Sequence, residues 1–547
     1  MTATTHERAP SPSEDTPLIR RASEELQDDH VPMTFARGFV ITLTMGLFLF
    51  IQGTNVSMMT TAQSAISEDL DAFSATTWFN SAYLIGMSSV TPLAGRLCQI
   101  FTPRIYVLFS SIVLSVGLFV TAAAPRLSVF LLGRALSGCA GGGLLITAII
   151  LSLDLPSKKR RGIFIGLINV GATTGIASGA VLAGIFTPLY GWRFIFWIQA
   201  PLSLILGPIL YFSLPPPDRD EGLFSHSPVA KLAKVDYAGA LTLALSVFLL
   251  LFGLSSTDIT ITPIILCPVV FAIFLLIESK YATDPIIPIQ VLKLRSVVLT
   301  CLAGLISMMS RWAILFFTPV YASAVRTWPS STAGLILVPT NAGFGLGGVL
   351  VGWLHIRSTS SYYISNLVVY LLFALTSLAL SILSTPTSPT AAYLITTFLN
   401  GLSAGALMNY SLTHVLHLTD PQSHYIVSSL LGMSRSFAGS FGSAIGGGFF
   451  QRQLKSSLED GFARYGLSGR EALLRMLLGS PALVGSLTGV ERTVAIEGYE
   501  SAVRTLLLGG CVLTLVAGVA HAGTGWRPYS YEDGKRGDED GESGIVE

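Results

Sequence analysis

Four segments follow one another between residues 131 and 201: LLGRALSGCAGGG (131–143), SKKRRG (157–162), GLINVGATTGIASGAVLAG (166–184) and GWRFIFWIQAP (191–201). The first sets Arg134 inside an apolar run. The third repeats glycine at Gly171, Gly175 and Gly179, every fourth residue and so on one face of a helix. Helices in lipid associate through close contact of small residues. A lone charge at membrane depth is costly and is kept where it serves a purpose. This stretch therefore reads as membrane helices packed tightly around a buried charge.

Composition extends that reading to the whole chain. Mean hydropathy is +0.63, and charged residues make up 12%, against about 25% in soluble domains. A soluble fold would leave apolar surface that no single core of this length covers. An all-α integral membrane protein is expected. A net charge of +1 offers no basic face for phosphates and argues against a nucleic-acid partner. Cys98, Cys139, Cys267, Cys301 and Cys511 lie in apolar segments without a CxxC and read as small buried hydrophobes. There is no phosphate-binding glycine loop, zinc spacing or soluble Ser/His/Asp set, so neither enzyme chemistry nor a cofactor or metal is expected.

A spanning helix needs about 20 mostly apolar residues, and about fourteen segments qualify by that rule. Six lie in 37–213, two in 214–296 after the Pro215, Pro216, Pro217 break, and six in 297–523. Basic residues in short loops set orientation. Arg96 and Arg104, the cluster Lys158 to Arg161, and Arg357 fall on one side, while the first loop on the other carries Glu68, Asp69 and Asp71. Residues 1–36 and 524–547 are then disordered cytosolic tails. Residues 452–500 form a long non-cytosolic loop whose GREALLRMLLGS (469–480) fits a short amphipathic surface helix. In the first tail, EDTPLI places Glu14 four residues before Leu18 and Ile19. That is the spacing of an acidic dileucine signal read by a sorting adaptor; a plain disordered tail is the alternative.

The order of motifs from about Phe39 to Gly523 resembles the major facilitator superfamily, in particular its fourteen-helix drug-antiporter branch. LLGRALSGCAGGG resembles the fourth-helix motif, with its basic residue at Arg134, and GATTGIASG the fifth-helix antiporter motif, with Ile176 in place of the usual proline. GWRFIFWIQAP is similar to the branch's corner at Trp192 and Arg193, with Gln199 where asparagine is usual. PLAGRLCQIFTPR keeps Arg96 and Arg104 of the loop motif, but Gln99 replaces its aspartate and Pro103 a base. In the first helix, TNVSMMTTAQSAI carries Asn55 where the branch has aspartate and Ser64 where it has proline. This wording looks most like the fungal subgroup of vacuolar amino-acid transporters. The resemblance implies two six-helix halves plus two linking helices, with substrate bound between the halves near the midplane.

The expected function is secondary active transport of a small organic solute by alternating access, with amino-acid uptake at the vacuolar membrane favoured. Drug or secondary-metabolite efflux at the plasma membrane is the alternative, and a non-transporting sensor on the same fold is a third reading. Candidate substrate or coupling residues are Arg134, Arg311, Asn55, Gln63, Tyr83, Asn341, Asn409 and His414. Each has a packing alternative as an interhelical hydrogen bond or helix cap. Packing and gating roles are expected for Gly171, Gly175, Gly179, Arg96, Arg104, Trp192 and Arg193. No acidic residue lies near the middle of a span, and arginine does not titrate in practice. That leaves His414 as the titratable candidate and suits an anionic or carboxylate-bearing solute better than a cationic one.

Overall fold

Apolar runs of this length have one way to satisfy their backbone in lipid, which is to close every N–H and C=O within a helix. The computed structural model describes residues 35–154, 161–215, 236–255, 259–280, 293–355, 362–419, 424–467 and 469–525. Among them all regular structure is helical. The helices are α1 (Phe35–Asp69), α2 (Thr76–Ala122), α3 (Leu127–Asp154), α4 (Arg161–Tyr190), α5 (Arg193–Ser213), α6 (Tyr237–Ser255), α7 (Ile261–Lys280), α8 (Arg295–Ala324), α9 (Leu337–Leu350), α10 (Tyr363–Leu383), α11 (Thr390–His417), α12 (His424–Arg464), α13 (Glu471–Gly479) and α14 (Gly489–Ala522). The short helix Ser330–Ala333 and a 3₁₀ turn lead into α9.

The expected second and third spans form the continuous element α2, broken at Thr102 (φ 66°). Pro103 follows, and its ring disfavours a helical conformation at the residue before it. Counted as two arms, α2 restores the sequence expectation of six, two and six spans. Eleven described helices are long and apolar enough to cross a membrane. The apolar helix Gly334–Leu350 is shorter, and α12 is long but less hydrophobic.

Two cores mark the two halves, and Ala180 of α4 joins the second. One gathers α1 to α5 around Phe48, Phe130, Phe196 and Leu206. The other gathers α8 to α14 around Tyr321, Phe373, Tyr499 and Leu507. The linking pair α6 and α7 packs on itself and, through Val247 and Leu251, against Ile85 of α2 and Phe437 of α12. The outer face of the pair, with Leu241, Ile265 and Val269, is exposed.

The segment 452–500 differs from the expected loop. α12 runs on to Arg464 and α14 begins at Gly489. These extensions pack as a hairpin, with Leu454, Leu458 and Phe462 against Val494 and Ala495. Hydropathy falls near residue 450, but the helical periodicity of buried residues continues beyond it. The amphipathic helix is present as α13. Rather than lying free on a surface, it is wedged between the halves, with Leu477 and Gly479 buried.

Candidate functional site

The halves meet along α2 and α12. Ser81 and Ser443 hydroxyls are 3.1 Å apart, and those of Ser88 and Ser440 2.6 Å. Gln451 donates to Thr76 Oγ1 at 3.0 Å. Beside this seam lies a cavity bounded by both halves, with Thr60, Gln63 and Asn80 on one side and Phe316, Phe450 and Gln451 on the other. Its free space is about 50 Å³, room for a few waters and not for an organic solute.

One mouth of the cavity is closed by α13 and the turn after it, since Leu478 and Pro481 form part of its wall. The Gly479 carbonyl accepts from Gln63 Nε2 at 3.3 Å and Ser67 Oγ at 3.2 Å. From the other half, Gln451 donates to the Leu478 carbonyl at 2.9 Å and the Tyr499 hydroxyl to that of Leu477. Arg475 pairs with Asp71 at 3.1 Å. The segment therefore hydrogen-bonds to both halves at once.

Arg134 lies deeper in the first half and is fully buried. Its Nε donates to the Phe79 carbonyl, Nη1 to Asn55 Oδ1 and Nη2 to the Asn55 carbonyl, each at 3.0 Å. The guanidinium sits 4.6 Å over the Tyr83 ring. Asn55 Nδ2 donates to the Ile51 carbonyl and to Gln199 Oε1. Asn55, Tyr83 and Arg134 thus form one closed cluster with α5, joined to the cavity wall through the backbone of Phe79. No carboxylate takes part in it.

Arg311 is the counterpart in the second half, 5% exposed. Its contacts are looser: Thr340 Oγ1 at 3.5 Å, Asn341 Oδ1 at 3.3 Å, and the Phe344 ring at 4.2 Å from the guanidinium carbon. Phe316 of the cavity wall lies five residues along the same helix, about 7–8 Å on. Arg435 donates from Nη2 to the Met408 carbonyl at 2.9 Å, fastening α12 to α11.

The remaining expected residues are spread through the fold. Asn409 donates to the Gly348 carbonyl at 2.6 Å and ties α11 to α9. His414 lies at the end of α11 opposite the α13 mouth, with Nε2 3.0 Å from Thr524 Oγ1. The glycine face of α4 meets α1: a Cβ at Gly171 would fall 2.4 Å from the Gly46 carbonyl oxygen, and one at Gly175 2.3 Å from that of Phe50. Gly179 packs on Thr54 and Ser57. Arg104 donates to the Tyr211 carbonyl at 2.6 Å and stacks on that ring. Trp192 Nε1 and Arg193 both reach Asp69, at 3.3 and 2.5 Å, and Arg193 also holds the Ala124 carbonyl. The corner thus clamps three chain reversals. The side chain of Arg96 and the residues Glu14, Leu18 and Ile19 lie outside the described residues.

Sequence reasoning missed Gln451, Ser440, Ser443 and Tyr499. A signal existed, since Ser81 and Ser88 are seven residues apart and share a face of α2. It pointed to a partner without naming α12.

Comparison with known proteins yields one consistent match. The family model described as Major Facilitator Superfamily matches residues 43–443. The efflux pump dotC of Dothistroma septosporum is 28% identical over 59% of this chain and 56% of its own length, so the match spans little more than half of that pump. The multidrug resistance protein fnx1 of Schizosaccharomyces pombe is 23% identical over 89% of this chain and 91% of its own. The vacuolar membrane amino acid uptake transporter fnx2 of the same yeast is 25% identical over 54% and 52%. Among solved structures, a bacterial homologue of the human lysosomal transporter Spinster, inward-facing and unoccupied, superposes with a TM-score of 0.58 at 14% identity, covering 90% of this chain and all of the other.

Proposed function

The chain belongs to the Major Facilitator Superfamily, and on that premise we propose that this multi-pass membrane transporter carries a carboxylate-bearing solute of amino-acid size across the vacuolar membrane. The carrying observation is Arg311. A guanidinium offers five N–H donors in a planar fork suited to a carboxylate. Arg134 directs its fork at three acceptors at 3.0 Å. Arg311 meets only neutral side-chain oxygens, at 3.3 and 3.5 Å. A buried cation so loosely held retains donor capacity for an incoming anion. Solute binds between the halves near the midplane, and rocking of the halves exposes it to each side in turn. The similarity to fnx2 supports the amino-acid class and the vacuolar membrane.

Efflux of a larger apolar metabolite is the second reading. The similarity to dotC and fnx1 and the aromatic wall of Phe316, Phe317 and Phe450 favour it. Solute profiling of isolated vacuoles with and without the protein separates the two. Amino acids that accumulate with the native chain and not with Arg311→Gln bear out the first reading. Unchanged vacuolar pools, with an apolar compound exported at the cell surface, overturn it. A panel of ligands that bind to reconstituted vesicles without crossing them would overturn both and favour a sensor.

A further inference from the structure

The start of α10 and the ends of α11 and α14 converge at the end of the second half opposite α13. His414 of α11 and His521 of α14 are both fully buried there, with ring centroids 5.0 Å apart. Their hydrogen bonds determine where each ring carries its hydrogen. Asn366 Nδ2 lies 2.7 Å from His521 Nε2. An amide nitrogen only donates, so Nε2 accepts and the neutral ring keeps its hydrogen on Nδ1. On the other ring, His414 Nε2 lies 3.0 Å from Thr524 Oγ1. That hydroxyl already donates to the His521 carbonyl at 2.7 Å, so it accepts from His414. The hydrogen of His414 is on Nε2, and its Nδ1 is a bare lone pair.

Both Nδ1 atoms are buried without a hydrogen-bond partner. A buried polar atom left unpaired is costly and asks for an explanation. Here the two are complementary, one an unused donor and the other an unused acceptor on neighbouring rings. We infer that His414 and His521 form a single proton-binding site that supplies the titratable group of the transport cycle. The incoming proton leaves hydronium, breaking an O–H bond and freeing water, and forms an N–H bond at His414 Nδ1; release to water reverses the exchange and restores the lone pair. A second proton is excluded, because two imidazolium rings this close in a low-dielectric interior repel strongly.

The facing groups suit that role. His417 lies on α11 itself, and the rings of Tyr363 and Tyr370 of α10 lie tilted against those of His414 and His521, at 5.6 and 5.4 Å between centroids. Arg295 of α8 approaches Gly523, and Arg435 of α12 reaches α11. Among the described residues no carboxylate faces the pair, so no counter-ion traps the proton once taken. In the first half, the Arg134 cluster offers no titrating acid, since Asn55 does not ionise.

The inference rests on the transporter reading and on no choice of solute, so its test begins without one. Proton uptake is measured on the full chain in lipid nanodiscs as the pH falls from about 8 to about 3, a range that reaches histidines buried away from water. A one-proton site on His414 Nδ1 predicts that His414→Gln takes up about one proton fewer than the native chain, that His521→Gln keeps that proton with a shifted midpoint, and that the double variant loses no more than His414→Gln alone. Losses that add, or no loss at all, overturn it. Histidine-selective nitrogen NMR on the native chain needs no variant: both rings respond at one midpoint, and two separate midpoints or no response overturn the site. In vesicles, His414→Gln loses the stimulation of flux by an imposed pH gradient and keeps solute exchange at equal pH. Retained stimulation overturns the coupling role.

Discussion

The side-chain amide of Asn55 donates to Oε1 of Gln199 across the α1–α5 interface, while Asn55 Oδ1 accepts from Arg134. Both residues depart from the motifs that the chain resembles, asparagine standing for aspartate and glutamine for asparagine. Their contact makes the two departures one exchange. A neutral amide at residue 55 must both donate and accept, and the longer Gln199 reaches it.

Asn55→Leu removes an acceptor from a buried guanidinium and the donor from Gln199. Hydrogen bonds to charged groups contribute about 1.5–3 kcal/mol each. A loss of that size is expected in thermal unfolding of the detergent-solubilised protein. Asn55→Asp is expected to match or exceed native stability, because Arg134 gains a counter-ion and the Gln199 amide can turn its nitrogen inward.

Arg134→Lys is expected to fail despite keeping the charge. The three acceptors face Nε, Nη1 and Nη2 separately, and a single ammonium cannot sit at three places. Two buried carbonyls or an amide oxygen lose their donor, costing about 1–3 kcal/mol for each group left unpaired. The same unfolding measurement reads it, and a lysine variant with native stability would contradict the geometry.

The α13 wedge gives a contrast between two substitutions. Arg475→Gln breaks a solvent-exposed ion pair with Asp71, of the kind that contributes about 0–1 kcal/mol, and should change little. Gly479→Val places a Cβ 2.6 Å from the Phe73 Cα, where backbone must move. It should shift the population toward the state open at that mouth. Introducing a cysteine at Gln63, on the cavity wall, reports this as several-fold faster reaction with a membrane-impermeant thiol reagent. Equal rates with and without the Gly479→Val substitution would show that α13 does not seal the mouth.

Glycines of similar appearance should respond differently. At Gly175 a Cβ meets the Phe50 backbone at 2.3 Å, whereas at Gly446 the nearest atom is the Ala313 Cβ at 3.6 Å. Gly175→Ala is expected to cost about 1–3 kcal/mol through overpacking. Gly446→Ala should be neutral or stabilise by up to about 1 kcal/mol, since alanine is the better helix former. Expression level and melting temperature measure both.

Part of the site was legible before the fold. Arg134 and Arg311 stand out because a charge in an apolar run has few reasons to be there. Their difference was not legible: Arg134 takes its acceptors from residues 55 and 79, and Arg311 from residues 340 and 341. Asn409 and Tyr83 were candidates with a packing alternative, and which contacts they make, the Gly348 carbonyl and the Arg134 guanidinium, came only with the fold. His414 was visible as titratable, but its partner His521 lies 107 positions away on another helix, a pairing that no local pattern encodes.

Hydropathy, glycine spacing and motif order, all properties of neighbouring residues, determined a membrane bundle of two halves with a linking pair and the packing of small residues at Gly171, Gly175 and Gly179. Lipid leaves the backbone no alternative to the helix, so these features need no tertiary information. Only the tertiary structure decided that α13 wedges between the halves, that Arg134 is closed in while Arg311 is not, and that two histidines face each other with one unused donor and one unused acceptor. Those outcomes depend on which helices meet and at what height, and helix contacts in a bundle join residues hundreds of positions apart.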